Sequence, residues 1–254
     1  MLLSIDIGNT NISLGIFNGD ELISNCHIAT ERQKTEDQYA IEFTDIFNLY
    51  KIDPQNITGG IIGSVVPEIT KSVKGALEKL ISGKVICLAP GVKTGLNILI
   101  DNPAQLGADL VAGAVGAVSG YPLPAFIVDL GTATKICVVD EKKNCLGCLI
   151  APGVAISLKA LTDTSSLLPT ISLEAPKKVC GKNTADSMQS GVILGTASMI
   201  DGLIDRLEDE VGTPKSIIAT GGLSYFLPEV CNHKLIHDKH LVLKGLKTIY
   251  DKNN

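Results

Sequence analysis

The segment SIDIGNTNISLGIF at residues 4–17 is echoed by IVDLGTATKICVVD at residues 127–140. With Asp6 set on Asp129, Gly8 falls on Gly131, Asn9 on Thr132 and Ile16 on Val139, an offset of 123 in a chain of 254 residues. Each copy reads as a strand, an Asp-x-Gly turn with small polar residues, and a second strand. A self-match at nearly half the chain length implies two similar halves. VSGYPLP at 118–124 supplies Pro/Gly punctuation between them, which gives expected domains of 1–118 and 119–254.

Both halves continue in the same style. In the first, DELISNCHIAT at 20–30 is a third strand after a turn at Asn18-Gly19, and EDQYAIEFTDIFNLYKI at 36–52 has helical apolar spacing. GGIIGSVVP and KVICLAP read as short buried strands on either side of a helix, EITKSVKGALEKLIS. AQLGADLVAGAVGAVSG at 104–120 is a helix of small residues, suited to close packing. In the second half, CLGCLIAPG at 145–153 is the third strand, and VAISLKALTDTSSLL starts as a helix. Residues 183–211 form one long helix or two, interrupted near the glycines. KSIIATGG is a strand ending in a glycine turn, and LVLKGLKTIYDKN is a C-terminal helix. Strands followed by helices, twice over, predict an α/β fold with mixed sheets and helices packed on them.

Hydrophobic residues make up 45% of the chain, ample for a core, and aromatic residues only 4%, so that core is aliphatic. The net charge of −5 with no basic block argues against nucleic-acid binding. No cationic leader and no long uncharged apolar run is visible, so a soluble cytoplasmic protein without a membrane role is expected. The seven cysteines, Cys26, Cys87, Cys137, Cys145, Cys148, Cys180 and Cys231, are scattered and odd in number. They read as buried reduced thiols. The CxxC of Cys145 and Cys148 supplies only two of the four ligands of a structural zinc.

A carboxylate at a strand end followed by a glycine turn can hold Mg²⁺, which prefers oxygen ligands and keeps substrate phosphates in its shell. The glycine lets backbone N–H groups approach phosphate oxygens. Asn9, Thr10, Thr132 and Thr134 add short donors. Two such turns facing each other would clamp a triphosphate, where catalysis is mostly positioning and charge neutralisation. The alternative is that each Asp caps a local turn; finding two copies in equivalent places favours the phosphate reading. No GxxxxGK[ST] and no GxGxxG is present, which leaves P-loop and Rossmann binding unsupported. Gly221 and Gly222 in ATGG end a strand where a nucleoside ring can lie against backbone, or where the chain simply makes a left-handed glycine turn.

Ten segments in order along the chain resemble type III pantothenate kinases, within the acetate kinase/sugar kinase/actin ATPase superfamily. They are DIGNTNISLGIF, ATERQKTEDQYA, GSVVPEIT, GVKTGLNI, DNPAQLGAD, DLGTAT, APGVAIS, GKNTADSMQSG, IATGGL and LVLKGLKTIY. The resemblance implies a duplicated ribonuclease-H-like fold, a homodimer, and ATP-dependent phosphorylation of pantothenate, the first step toward coenzyme A. It implies ATP, Mg²⁺ and a monovalent cation, K⁺ or NH₄⁺. Asp6, Ile7, Gly8, Asn9, Thr10, Asn11, Ile12 and Ser13 would form the first phosphate motif, with Asp6 at the metal. Asp129 resembles the monovalent-cation ligand and Thr132 a second ATP contact. Gly107, Ala108 and Asp109 match the start of a Gly-Ala-Asp-Arg pantothenate motif, with Asp109 as the catalytic base. Thr184 resembles a pantothenate contact. Read from its residues alone, Asp109 is better explained as an N-terminal charge on a helix dipole than as a base.

The departures cluster in motifs. Leu110 stands where the family has the arginine, a side chain suited to bidentate carboxylate recognition. Ile100 stands where the family usually has tyrosine. Lys135 and Cys137 follow the second turn where the family usually reads Thr-x-Asp, and Cys148 replaces a glycine. The turns persist while the acceptor side has lost polar groups. A kinase for another small hydroxyl acceptor, or a catalytically impaired nucleotide-binding paralogue with a regulatory role, therefore stand beside the pantothenate reading.

Overall fold

The computed structural model describes residues 1–254. The chain opens with an antiparallel meander, β1 (Leu2–Ile7), β2 (Asn11–Asn18) and β3 (Glu21–Ala29). Helix α1 (Glu36–Leu49) starts at Thr35, whose hydroxyl accepts from the Gln38 N–H while the Gln38 side chain accepts from the Thr35 N–H. Tyr39, Phe43, Ile46 and Phe47 recur at helical spacing and are buried. Strand β4 (Gly59–Ser64), helix α2 (Pro67–Leu80) and strand β5 (Lys84–Cys87) follow. Strands β4 and β5 join the meander in parallel, in the order β3-β2-β1-β4-β5.

After a two-residue strand, β6 (Asn97–Ile98), and the small-residue helix α3 (Ala108–Gly120), a second meander begins with β7 (Ala125–Leu130), β8 (Ala133–Val139) and β9 (Asn144–Pro152). Helix α4 (Val154–Thr164) follows. Residues 184–211 are helical throughout, as α5 (Thr184–Gln189), one π turn (Ser190–Leu194) and α6 (Gly195–Val211). The break expected near the glycines is thus a widened turn within a continuous helix. Strand β10 (Ser216–Thr220), the short helix α7 (Leu227–Val230), β11 (Ile236–His237) and α8 (Leu241–Asp251) complete the chain. The second sheet has the order β11-β10-β7-β8-β9-β6.

Without β6, that order is β9-β8-β7-β10-β11, the topology of the first sheet. Asp6 pairs with Gly63 of the central parallel neighbour, and Asp129 pairs with Thr220 of its own. The duplication read from the hairpins therefore extends over five strands. One detail of the sequence match changes. The first turn spans three residues and the second only two, so beyond the turn the equivalent of Val139 is Phe17, not Ile16. Lys135, paired with Asp129, takes the place of Ser13, paired with Asp6.

Two compact units result. One comprises Met1–Leu96, Asp101–Ser119 and Leu241–Asn254, the other Asn97–Ile100 and Gly120–His240. The C-terminal helix α8 thus packs with the first sheet, against β1, β2 and β4. It also lies tight on α3: a Cβ at Gly245 would overlap the Ala112 carbonyl. The small residues of α3 allow that approach. The core of the first unit is built from Leu3, Ile5, Tyr39, Phe43 and their neighbours, that of the second from Phe126, Val128, Ile193 and Ile200 among others. No helix is long and apolar enough to cross a membrane.

Candidate active site

In the first unit, the turn after β1 carries Asp6 half-buried and Asn9, Thr10 and Asn11 exposed. Ile7 and Ile12 point into the core, so only their main chain is available to a ligand. The Gly8 N–H closes the turn on the Asn11 carbonyl at 3.0 Å. Thr30, at the end of β3, braces it from the side: its hydroxyl donates to the Gly8 carbonyl at 2.6 Å and its N–H to the Thr10 carbonyl at 2.9 Å. Ser13 Oγ is 3.0 Å from His27 Nδ1. Arg32 was not singled out from the sequence, although it lies inside ATERQK. Its Nη2 donates to Asn9 Oδ1 at 3.0 Å and its Nη1 pairs with Glu68 at 3.3 Å. A guanidinium thus stands at the rim of the turn, a point of positive charge suited to phosphate.

The same unit holds Asp109 in the first turn of α3, where its Oδ1 accepts from the Leu110 N–H at 2.8 Å. The carboxylate folds back over Gly107: a Cβ added there would come 2.5 Å from Asp109 Oδ1. Gly107, Ala108, Asp109 and Leu110 are all partly exposed, so the carboxylate is within reach of a ligand.

In the second unit, three segments meet at the turn after β7. Asp129 Oδ2 lies 2.6 Å from Lys135 Nζ, each side chain 14% exposed. Gly221, at φ +91°, ends β10 so close to Asp129 Oδ1 and the Leu130 carbonyl that no Cβ fits. Gly153, which caps α4, lies equally close on the Thr132 carbonyl. The Thr134 hydroxyl donates to the Pro152 carbonyl at 3.2 Å. Thr132 and Gly222 are exposed on this backbone-lined cradle. Thr184 lies elsewhere in the unit, at the start of α5. It borders a cavity of ≈ 580 Å³ lined by Pro152, Leu161, Met188, Gly191 and Met199, where the π turn contributes its glycine. Ile100 follows β6 and is half-buried.

The CxxC is not alone. Cys137 joins Cys145 and Cys148, with all three sulfurs within 4.8 Å of one another. Hydrogen bonds from the Cys137 and Cys148 thiols draw Cys145 below the ordinary thiol range, while donation to its neighbours and burial hold Cys137 well above it.

A family model described as type III pantothenate kinase matches residues 2–206. A protein of that name from Halalkalibacterium halodurans is 43% identical over 253 residues, covering 100% of both chains. Another from Brevibacillus brevis is 41% identical over 255 residues, covering 100% of this chain and 99% of that one. Among solved structures, MreB 5 of Spiroplasma citri bound to AMPPNP has a TM-score of 0.55 at 12% identity, covering 99% of this chain and 96% of that one. That likeness concerns the fold alone, the actin-like ATPase fold.

Proposed function

The chain belongs to the type III pantothenate kinase family, and on that premise we propose that it transfers the γ-phosphoryl group of ATP to the hydroxyl of pantothenate, opening coenzyme A synthesis. The carrying observation is that a full-length family relationship coincides with two topologically equivalent Asp-x-Gly hairpins.

In this reading the first turn, residues 6–13, with Arg32 at its rim, receives the transferring phosphate. Mg²⁺ favours oxygen donors, and the half-buried Asp6 carboxylate with its exposed polar turn fits such an ion. The ion supplies charge neutralisation on the phosphates. Thr132, Gly221 and Gly222 receive the rest of the nucleotide on the backbone cradle of the second unit. Asp109 takes the proton of the acceptor hydroxyl as its oxygen attacks phosphorus and ADP leaves. Gly107, Ala108 and Thr184 contact the acceptor.

The monovalent cation expected at Asp129 meets the Lys135 ammonium, 2.6 Å from that carboxylate. We read Lys135 as the built-in replacement for K⁺ or NH₄⁺. The homodimer belongs to the same proposal: Ile156, Leu161, Leu167 and Val179 of the second unit are 48%, 40%, 92% and 78% exposed. Apolar exposure of this kind suits a subunit interface. A cytoplasmic location suits seven unbonded cysteines.

Leu110 and Ile100 favour one second reading, an acceptor without a carboxylate. A coupled assay of ADP release with ATP and pantothenate, with and without K⁺, tests the proposal. Turnover in K⁺-free buffer is expected. Folded protein that turns over an uncharged hydroxyl acceptor but not pantothenate would move the assignment to the second reading. Nucleotide binding without turnover of any acceptor would make the chain a regulatory paralogue.

A further inference from the structure

Three thiols that the kinase chemistry leaves without a task converge in the second unit. Cys137 lies on β8, and Cys145 and Cys148 on β9; the Cys137 and Cys145 sulfurs are 3.4 Å apart. Their convergence has a specific cause. Cys137 is paired directly with Cys148, and Val138 with Gly147, but Val139 is paired with Cys145, because Leu146 is bulged out of the ladder. In a regular strand, residues three apart point to opposite faces. The extra residue of the bulge turns Cys145 onto the face of Cys148 and Cys137.

The first unit has the same bulge at the equivalent place, with Ile23 left out between Ile16 and Phe17. There the three matching positions are Gly15, Leu22 and Asn25. A Cβ added at Gly15 would lie 3.1 Å from the Leu22 side chain, so the positions converge in that copy too. The architecture is duplicated, whereas the thiols occupy only the second copy. Cys137 and Cys145 are 1% and 0% exposed, and Cys148 is half-buried, which leaves one side for entry.

We propose that Cys137, Cys145 and Cys148 form a three-thiolate site for a thiophilic d¹⁰ cation, Zn²⁺ or Cu⁺. Four-coordinate zinc with Zn–S bonds of ~2.3 Å places its sulfurs ~3.8 Å apart, inside the span these sulfurs already occupy. Thiolate ligands select Zn²⁺ and Cu⁺ over Mg²⁺, so the site is chemically separate from the nucleotide's metal. A bound ion ties β9 to the strand that carries Lys135, two residues from Cys137.

The test uses the full-length chain, reduced, treated with chelator and desalted under argon. Co²⁺ serves as the spectroscopic stand-in for Zn²⁺, and a parallel arm lets the protein compete with a chromophoric chelator for Cu⁺. Expected are one Co²⁺ per chain, thiolate-to-metal charge transfer and tetrahedral visible bands bleached by Zn²⁺, or stoichiometric capture of Cu⁺; the responding arm identifies the ion. Cys148→Ser should weaken binding by about 100-fold or more, since losing an outer-shell partner already costs 10–100-fold. Cys231→Ser should leave it unchanged. The ion should raise Tm of the parent chain and not of Cys148→Ser, with circular dichroism reporting the fold of each. Absence of both signals in the reduced protein overturns the site. So does equal loss in the two serine variants, or mild oxidation that closes a disulfide among these cysteines in protein that binds neither ion when reduced.

Discussion

Asp109 accepts from the Leu110 N–H and lies in the space that Gly107 leaves open. The proposed base therefore has two tests of different kinds. Asp109→Asn should lower kcat by about 10²- to 10⁴-fold with nucleotide binding intact; unchanged turnover would remove Asp109 from the chemistry. Gly107→Ala keeps the carboxylate but forces it aside, and misplacement of about 1 Å costs up to about 100-fold. That variant should lose kcat while its Tm stays close to the parent's. Lys135 offers a sharper contrast. Lys135→Met withdraws the ammonium from a largely buried Asp129, and breaking such a pair costs roughly 3 kcal/mol. If Lys135 stands in for a monovalent cation, KCl should recover both Tm and activity of this variant while leaving the parent indifferent. Choline chloride at equal ionic strength is the control, and equal recovery by both salts would reduce the effect to screening.

At the scale of the element, each hairpin positions a carboxylate by register and is then braced by neighbours distant in sequence. Thr30 braces the first, and Gly153 and Gly221 the second. Gly221→Ala should abolish nucleotide binding measured by calorimetry, because the new methyl takes the room of the Asp129 carboxylate and the Leu130 carbonyl. Retained affinity would place the nucleotide elsewhere. The hairpins themselves were legible, since Asp-x-Gly between apolar runs is a local pattern. The length difference between the two turns was not, and so Lys135 could not be matched to Ser13. A bulge is equally silent: nothing in NCLGCLIAP marks Leu146 as the residue that leaves the ladder. Arg32 was hidden for the opposite reason, as one charge in a polar segment whose reach to Asn9 depends on how β3 returns.

At the scale of the molecule, titration gives a stability prediction with a definite sign. Burial pushes the Cys26 thiol up to about 11 and the Cys231 thiol up to about 12, and burial together with the Asp238 carboxylate pushes Tyr121 up to about 12. In the unfolded chain these groups ionise near 9 for cysteine and 10 for tyrosine. Between those values and the folded ones the unfolded state binds fewer protons, so stability falls as pH rises. Tm should decline from pH ~8.5 toward pH ~11. Cys231→Ala should soften the decline, and a Tm that rises over this interval would contradict the burial assigned to these groups. The proposed dimer is tested at the same scale: Leu167→Glu, at a side chain 92% exposed, should shift the chain from dimer to monomer in light scattering.

The duplication, the two carboxylate turns and the family can be read along the chain, because they are carried by local patterns and by their order. So can the apolar faces of α1 and α2, whose helical spacing is a property of consecutive residues. Folding in three dimensions sets which strand neighbours which, that α8 returns to the first sheet, that Gly107 and Gly221 make room for carboxylates, and that a third cysteine joins the CxxC. Each of these is a contact between positions far apart in the chain or a half-turn of a side chain at a bulge. Such contacts are fixed by packing, and the composition of any single segment leaves them open.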